Sequence, residues 1–145
     1  MFNVSTRLRY GLRALIYLSE KETDKTVNLH QIADSEGISR KYLENIFKLL
    51  KKSKIIRSIR GREGGYALIR DPGEITMYEI ANAIEGNIIL LDCTEDDNFC
   101  TRSSICGIRD FWVDYQKYII DYLDGMTFND FLEKYVRKSN EKYLP

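Results

Sequence analysis

The chain has 145 residues, 43% hydrophobic and 30% charged, a balance that suits one soluble domain, or a small domain whose extension needs a partner to bury it, and excludes a disordered chain. No run approaches the roughly 18 to 20 uninterrupted apolar residues of a membrane span, and the first residues lack the n-region and h-region of a signal peptide, so the chain is read as cytoplasmic with no membrane partner. The net charge of zero is a cancellation: residues 40 to 70 carry ten basic against two acidic residues, and residues 71 to 145 carry seven basic against fifteen acidic.

Leu8, Leu12, Leu15, Ile16 and Leu18 recur at helical spacing behind Ser5, a residue suited to cap the start. A first helix is predicted from Ser5 to Ser19. Asn28 can cap a second, short helix bearing Leu29, Ile32 and Ala33, which ends towards Gly37. Gly37-Ile38-Ser39 leaves room only for a tight turn, and Ser39 caps a third helix with Leu43, Ile46, Phe47 and Leu50 inward. Two helices around a Gly-containing turn are a helix-turn-helix.

The β-branched run Ile55 to Ile59, the Gly-rich Arg60 to Gly65 and the apolar run Tyr66 to Ile69 predict a hairpin, stopped by Asp71-Pro72-Gly73. Thr76 to Glu79 is a capping-box pattern, and Met77, Ile80, Ala81 and Ile84 give a fourth helix its apolar face up to Gly86. Leu91 to Gly107 has no clear period, holds all three cysteines and is predicted as a loop. A long helix follows from about Ile108 to Leu123, ended by Gly125. Thr127 to Val136 is predicted as a last helix, and the polar tail beyond it as frayed.

These elements predict a mostly α fold with a small β-hairpin: a winged helix-turn-helix domain over residues 1–86, a cysteine loop over 87–107, a dimerisation helix and C-terminal helix over 108–136, and a polar tail over 137–145.

A helix-turn-helix lays its second helix in the major groove, where N-terminal residues meet base edges and nearby cations hold phosphates. Here that helix opens with Ser39, Arg40, Lys41, Tyr42, Glu44 and Asn45 free to point outward, with Lys48 one turn on. Glu44 is the informative member, since a carboxylate facing DNA is unfavourable unless it accepts a specific donor such as cytosine N4. Arg60 and Arg62 stand at the hairpin tip, placed for a minor groove, and Gly64 and Gly65 permit close approach of backbone to phosphate. The basic block supports this reading, because phosphate contacts release counterions from DNA. An enzyme is disfavoured: the chain has one histidine, no Ser-His-Asp set, no P-loop and no dinucleotide fingerprint.

Ser5 to Arg13, Gly37 to Glu44 and Arg60 to Tyr66 together closely resemble the bacterial winged-helix regulators typified by IscR, NsrR and CymR, over nearly the whole chain. The resemblance implies a homodimeric transcription factor on a pseudo-palindromic double-stranded operator, with Tyr42, Glu44 and Asn45 at bases and Arg60 in the minor groove. Lys41 and Asn45 depart from the serine and glutamine of a cluster-binding member, which implies a different preferred operator.

Cys93, Cys100 and Cys106 are separated by six and five residues. Grouped thiols outside an oxidising compartment suggest a metal or cluster site, or redox-active thiols, more than a structural disulfide. Cluster-binding members of the resembled family carry three cysteines in this loop, which implies an iron-sulfur cluster, 2Fe-2S or 4Fe-4S. The first cysteine interval is one residue longer than the family spacing, and Arg109 stands where a histidine ligand is found; a guanidinium stays protonated and cannot replace it. The fourth ligand is left open among Asp92, Glu95, Asp96, Asp97, Asp110, a group from a second subunit and an exchangeable one. The alternative is a cluster-free regulator answering through thiol oxidation or a protein partner.

His30, the only histidine, lies at the start of the second helix and is read as a surface or phosphate-contacting residue. Ile108, Phe111, Trp112, Tyr115, Ile119, Tyr122 and Leu123 form a stripe on the long helix that a monomer of this size does not readily hide, and dimerisation is expected to bury it.

Overall fold

A computed structural model describes residues 3–21 and 25–138; the polar tail past Lys138 lies outside the described residues. Each early helix starts where the sequence offers a side-chain oxygen to its first free N–H groups. Ser5 Oγ accepts from Leu8 N at 2.9 Å and opens α1, Thr6–Ser19. Asn28 and Gln31 cap α2, Leu29–Glu36, reciprocally. Ser39 Oγ accepts from Tyr42 N at 3.1 Å and opens α3, Arg40–Lys52. Between α2 and α3, Gly37 takes φ 65°, a left-handed conformation that costs glycine little, and Ile38 is buried as the turn's anchor.

Strand β1, Ile56–Ile59, pairs antiparallel with β2, Gly65–Leu68, in a register that sets Ile56 opposite Leu68 and Ile59 opposite Gly65. Val27, just before α2, adds a one-residue third strand: its N–H and carbonyl bond to Tyr66 at 2.9 and 2.8 Å. The Tyr66 ring in turn meets Phe47 edge-on at 4.7 Å, which fixes the hairpin to α3.

The capping box of Thr76 and Glu79 opens α4, Met77–Glu85. The cysteine loop is more ordered than its lack of periodicity suggests: it holds a single helical turn, α5, Asp92–Glu95, and a 3-10 turn at Ser103–Ile105. Helix α6 runs Gly107–Asp124. The last helix starts as α7, Phe128–Phe131, and continues as a π turn through Leu132–Arg137.

The core lies among α1 to α4, with Leu15, Ile32, Leu43, Ile46, Phe47, Leu50 and Ile80 almost fully buried. Phe128 and Leu132 join it from the far end of the chain. Two backbone hydrogen bonds hold them there, Met77 N to Met126 O at 2.8 Å and Phe128 N to Ile75 O at 2.7 Å. Helix α6 contributes no buried residue.

Candidate nucleic-acid interface and cysteine loop

Helix α3 divides its residues sharply. Leu43, Ile46, Phe47 and Leu50 are buried, whereas Ser39, Arg40, Lys41, Tyr42, Glu44, Asn45 and Lys48 are exposed. The exposed set includes the first turn and a half, the part of such a helix that can reach base edges. The Tyr42 ring stands edge-on to Tyr10 of α1 at 5.8 Å, which limits its swing. Arg40 is partly engaged elsewhere, 3.7 Å from Asp34 of α2.

Arg60 and Arg62 lie exposed at the hairpin tip and make no ion pair among the described residues. Arg7, Arg13, Arg70, Arg109 and Arg137, by contrast, each face a carboxylate. The neighbouring glycines have an internal reason to be glycine. A Cβ on Gly64 would sit 2.4 Å from the Ile59 carbonyl oxygen, and one on Gly65 would sit 2.5 Å from that of Val27. Their close approach is to the protein's own backbone.

Sequence reasoning missed a groove between the hairpin tip and α2, about 780 Å³, whose walls include Lys25 and His30 as well as Arg60 and Arg62. Its signal was faint, because Val27, which brings the walls together, is one apolar residue with no period around it. Thr26 Oγ1 donates to the Glu63 carbonyl at 2.6 Å and reinforces that closure.

In the loop, Cys93 and Cys106 are half-buried and Cys100 is exposed; all three thiols are free. Three thiolates suit an iron-sulfur cluster in kind, but as arranged they do not fit one: among the described residues, no three His, Cys, Asp or Glu side chains converge on a metal-sized point. Arg109 holds the loop instead. Its Nε donates to the Cys93 carbonyl at 2.7 Å, its Nη2 pairs with Asp97, and its side chain is only 16% exposed. Gln116 adds a second tie from α6, accepting from Leu90 N and Thr94 Oγ1, both at 2.9 Å.

On α6, Ile108, Phe111, Tyr115 and Tyr122 are exposed, the first at 72%, while Trp112, Ile119 and Leu123 are half-buried. Val4, Leu8 and Leu12 from the N-terminal segment, with Met77 and Ile80 of α4, face Ile119 and Tyr122 across an apolar groove of about 640 Å³. No helix among the described residues is long and apolar enough to cross a membrane.

Residues 4–134 match the model of the Rrf2 family, described as iron-dependent transcriptional regulator. The regulator CymR of Bacillus subtilis is 31% identical over 141 residues, which cover 97% of this chain and 96% of CymR. NsrR of Bacillus licheniformis is 33% identical over 89% of this chain and 92% of its own length. Among solved structures, B. subtilis CymR, titled the global cysteine regulator, superposes with a TM-score of 0.72 at 28% identity over 92% of this chain and 98% of CymR. IscR of T. potens gives 0.75 at 28% identity over 99% and 93%.

Proposed function

The chain belongs to the Rrf2 family of transcriptional regulators, is a winged-helix DNA-binding protein and not an enzyme, and on that premise we propose that it works as a homodimer on a two-fold DNA site, with its affinity set at the cysteine loop. The observation that carries the DNA-contact assignment is the division of α3: an outward face of Tyr42, Glu44 and Asn45 beside two exposed wing arginines, on a helix whose other face is core. In this reading α3 enters the major groove, Arg60 follows the adjacent minor groove, and Lys41, Lys48 and Arg62 take phosphates.

A two-fold operator requires two copies at fixed spacing. The apolar stripe of α6, from Ile108 to Leu123, supports pairing there, since it exposes Ile108, Phe111, Tyr115 and Tyr122 on one helix and pairing would remove them from water. Selection of duplexes from a random-sequence pool tests both statements: an inverted repeat is expected, and recovery of single, unpaired half-sites by a monomer would overturn them.

For the signal, we infer that Cys93, Cys100 and Cys106 hold an iron-sulfur cluster. The support is the loop of three cysteines, which the resemblance to cluster-binding regulators implies as a cluster site, and the iron-dependent description of the family. The cluster requires the loop to bring its thiols together, away from the arrangement that Arg109 holds. Anaerobically purified protein is then expected to be coloured and to contain iron and sulfide; colourless, iron-free protein after anaerobic reconstitution would remove the cluster. The exposure of Cys100 favours a second reading, direct thiol oxidation, for which reversible loss of free thiol with a change in DNA affinity is the test.

A further inference from the structure

The three thiols stand in unequal places. Cys93 lies in the single turn α5 and Cys106 is the residue before α6, both half-buried, whereas Cys100 is exposed between them. Around Cys100 the turns close on themselves: Phe99 N donates to Asp96 O and Ser103 N to Cys100 O, both at 3.1 Å. The Cys93 segment is fastened to α6 instead. Arg109, in the first turn of α6, donates from Nε to the Cys93 carbonyl at 2.7 Å and pairs through Nη2 with Asp97, so one guanidinium grips the loop at two points. Gln116 lies two turns on along the same face and accepts from Leu90 N at 2.9 Å, on the other side of Cys93. The two Arg109 bonds differ in strength. Asp97 is 85% exposed, where an ion pair contributes little. The carbonyl bond comes from a side chain only 16% exposed, and a charge-assisted bond withdrawn from water is the stronger. It falls on the backbone of the residue that bears the thiol.

We infer that Arg109 is the latch of the loop, a positioning residue that keeps Cys93 withdrawn, so that a thiol-seeking group is met first by Cys100 and reaches Cys93 only after the guanidinium lets go. This rests on the reading of the cysteine loop as the responsive part and deepens it. The loop gains a resting state with its thiols apart, an order in which they are engaged, and a residue that sets the threshold. The planar fork of an arginine meets a carbonyl and a carboxylate at once, which the single ammonium of a lysine cannot do in the same geometry. The loop and α6 bury no apolar side chain, so release costs little beyond these polar bonds.

N-ethylmaleimide, which adds to a thiolate without a leaving group, is followed at each cysteine by quenching and mass spectrometry of the full-length chain, reduced and stripped of iron with a chelator. In wild type, Cys100 is expected to react about tenfold faster than Cys93. Arg109→Ala is expected to speed Cys93 by about tenfold and to leave Cys100 unchanged. Asp97→Asn should speed Cys93 by only about two- to fivefold, as loss of an exposed pair implies, and Arg109→Lys should fall between wild type and Arg109→Ala. Selectivity separates a latch from general loosening, which would speed all three thiols together. A wild-type Cys93 rate equal to that of Cys100 would overturn the latch, and so would an Arg109→Ala variant whose Cys93 rate is unchanged or whose three rates rise alike. Binding of a selected DNA duplex is measured on the same samples. Unchanged DNA affinity after all three thiols are modified would take control of DNA away from the loop, while the maleimide rates decide the latch by themselves.

Discussion

The winged part and the cysteine-helix part of this chain obtain their order in opposite ways. Among the described residues, every buried apolar side chain lies at or before Ile84, apart from Phe128 and Leu132. Between them the cysteine loop and α6 bury none, and Ile105, Ile108, Phe111 and Tyr118 stand open to solvent. The winged part is therefore ordered by its own packing. The part that adjoins the thiols is held by a few polar ties from Arg109 and Gln116. On the proposed function a regulator is served by that contrast: the part proposed to read DNA is held by packing, and the part proposed to respond is inexpensive to rearrange.

The contrast is broken most forcefully in the core. Phe47→Ala removes a ring that is 1% exposed and packed on Tyr66, and is expected to cost about 3 to 5 kcal/mol of stability in thermal or denaturant unfolding. Phe111→Ala, at 61% exposure, should leave the unfolding of the monomer within about 0.5 kcal/mol. Equal losses in the two variants would erase the distinction between the regions.

Assembly is the next largest effect. Ile108→Asp with Phe111→Asp places charge on the exposed stripe and is expected to shift sedimentation from dimer to monomer at micromolar concentration while the circular dichroism of the winged part persists. Dimer retained by the double variant would move the interface off this face.

Arg109→Ala removes the tie to the Cys93 carbonyl and to Asp97. Amides from Cys93 to Asp97 are expected to exchange about tenfold faster with solvent, equivalent to roughly 1.4 kcal/mol of local opening, with the midpoint for the winged part unchanged. A uniform change across the chain would mean that the loop and the core are one cooperative unit.

The smallest effect lies in the cap of α4. Burial pushes the Glu79 carboxyl up, but the hydrogen bond from Thr76 and the Arg70 guanidinium outweigh it and hold its pKa below the ordinary value. A depressed carboxylate contributes stability that is present above its unfolded pKa and lost as pH falls through the folded one. Glu79→Gln removes the titrating carboxyl while keeping the side chain's shape. It is expected to cost about 1 kcal/mol near neutrality and to flatten the acid limb of a stability profile below about pH 4; an acid limb identical to wild type would remove Glu79 from it.

The same contrast explains what could be read from the sequence. Caps and periods are local, so Ser5, Asn28, Ser39, Thr76 and Thr127 mark the helix starts that form, and the hairpin appears within a residue of its expected bounds. Long-range partners leave no such trace. Nothing near Val27 announces a strand partner for Tyr66, and nothing near Phe128 announces a place beside Ile75. At the site, the outward face of α3 was legible because its apolar face is periodic. Arg109 was legible only as a missing ligand, because its bonds to Cys93 and Asp97 depend on how a segment without period folds back on α6.

DNase footprinting of a selected duplex by wild type and by a Tyr42→Ala, Arg60→Ala double variant tests the DNA-reading face most directly. Both residues are exposed, so the double variant should unfold as wild type does yet lose specific protection, each change weakening binding by about 1 to 3 kcal/mol. A footprint of the same position and strength from the folded double variant would contradict the assignment of α3 and the wing as the DNA-reading surface.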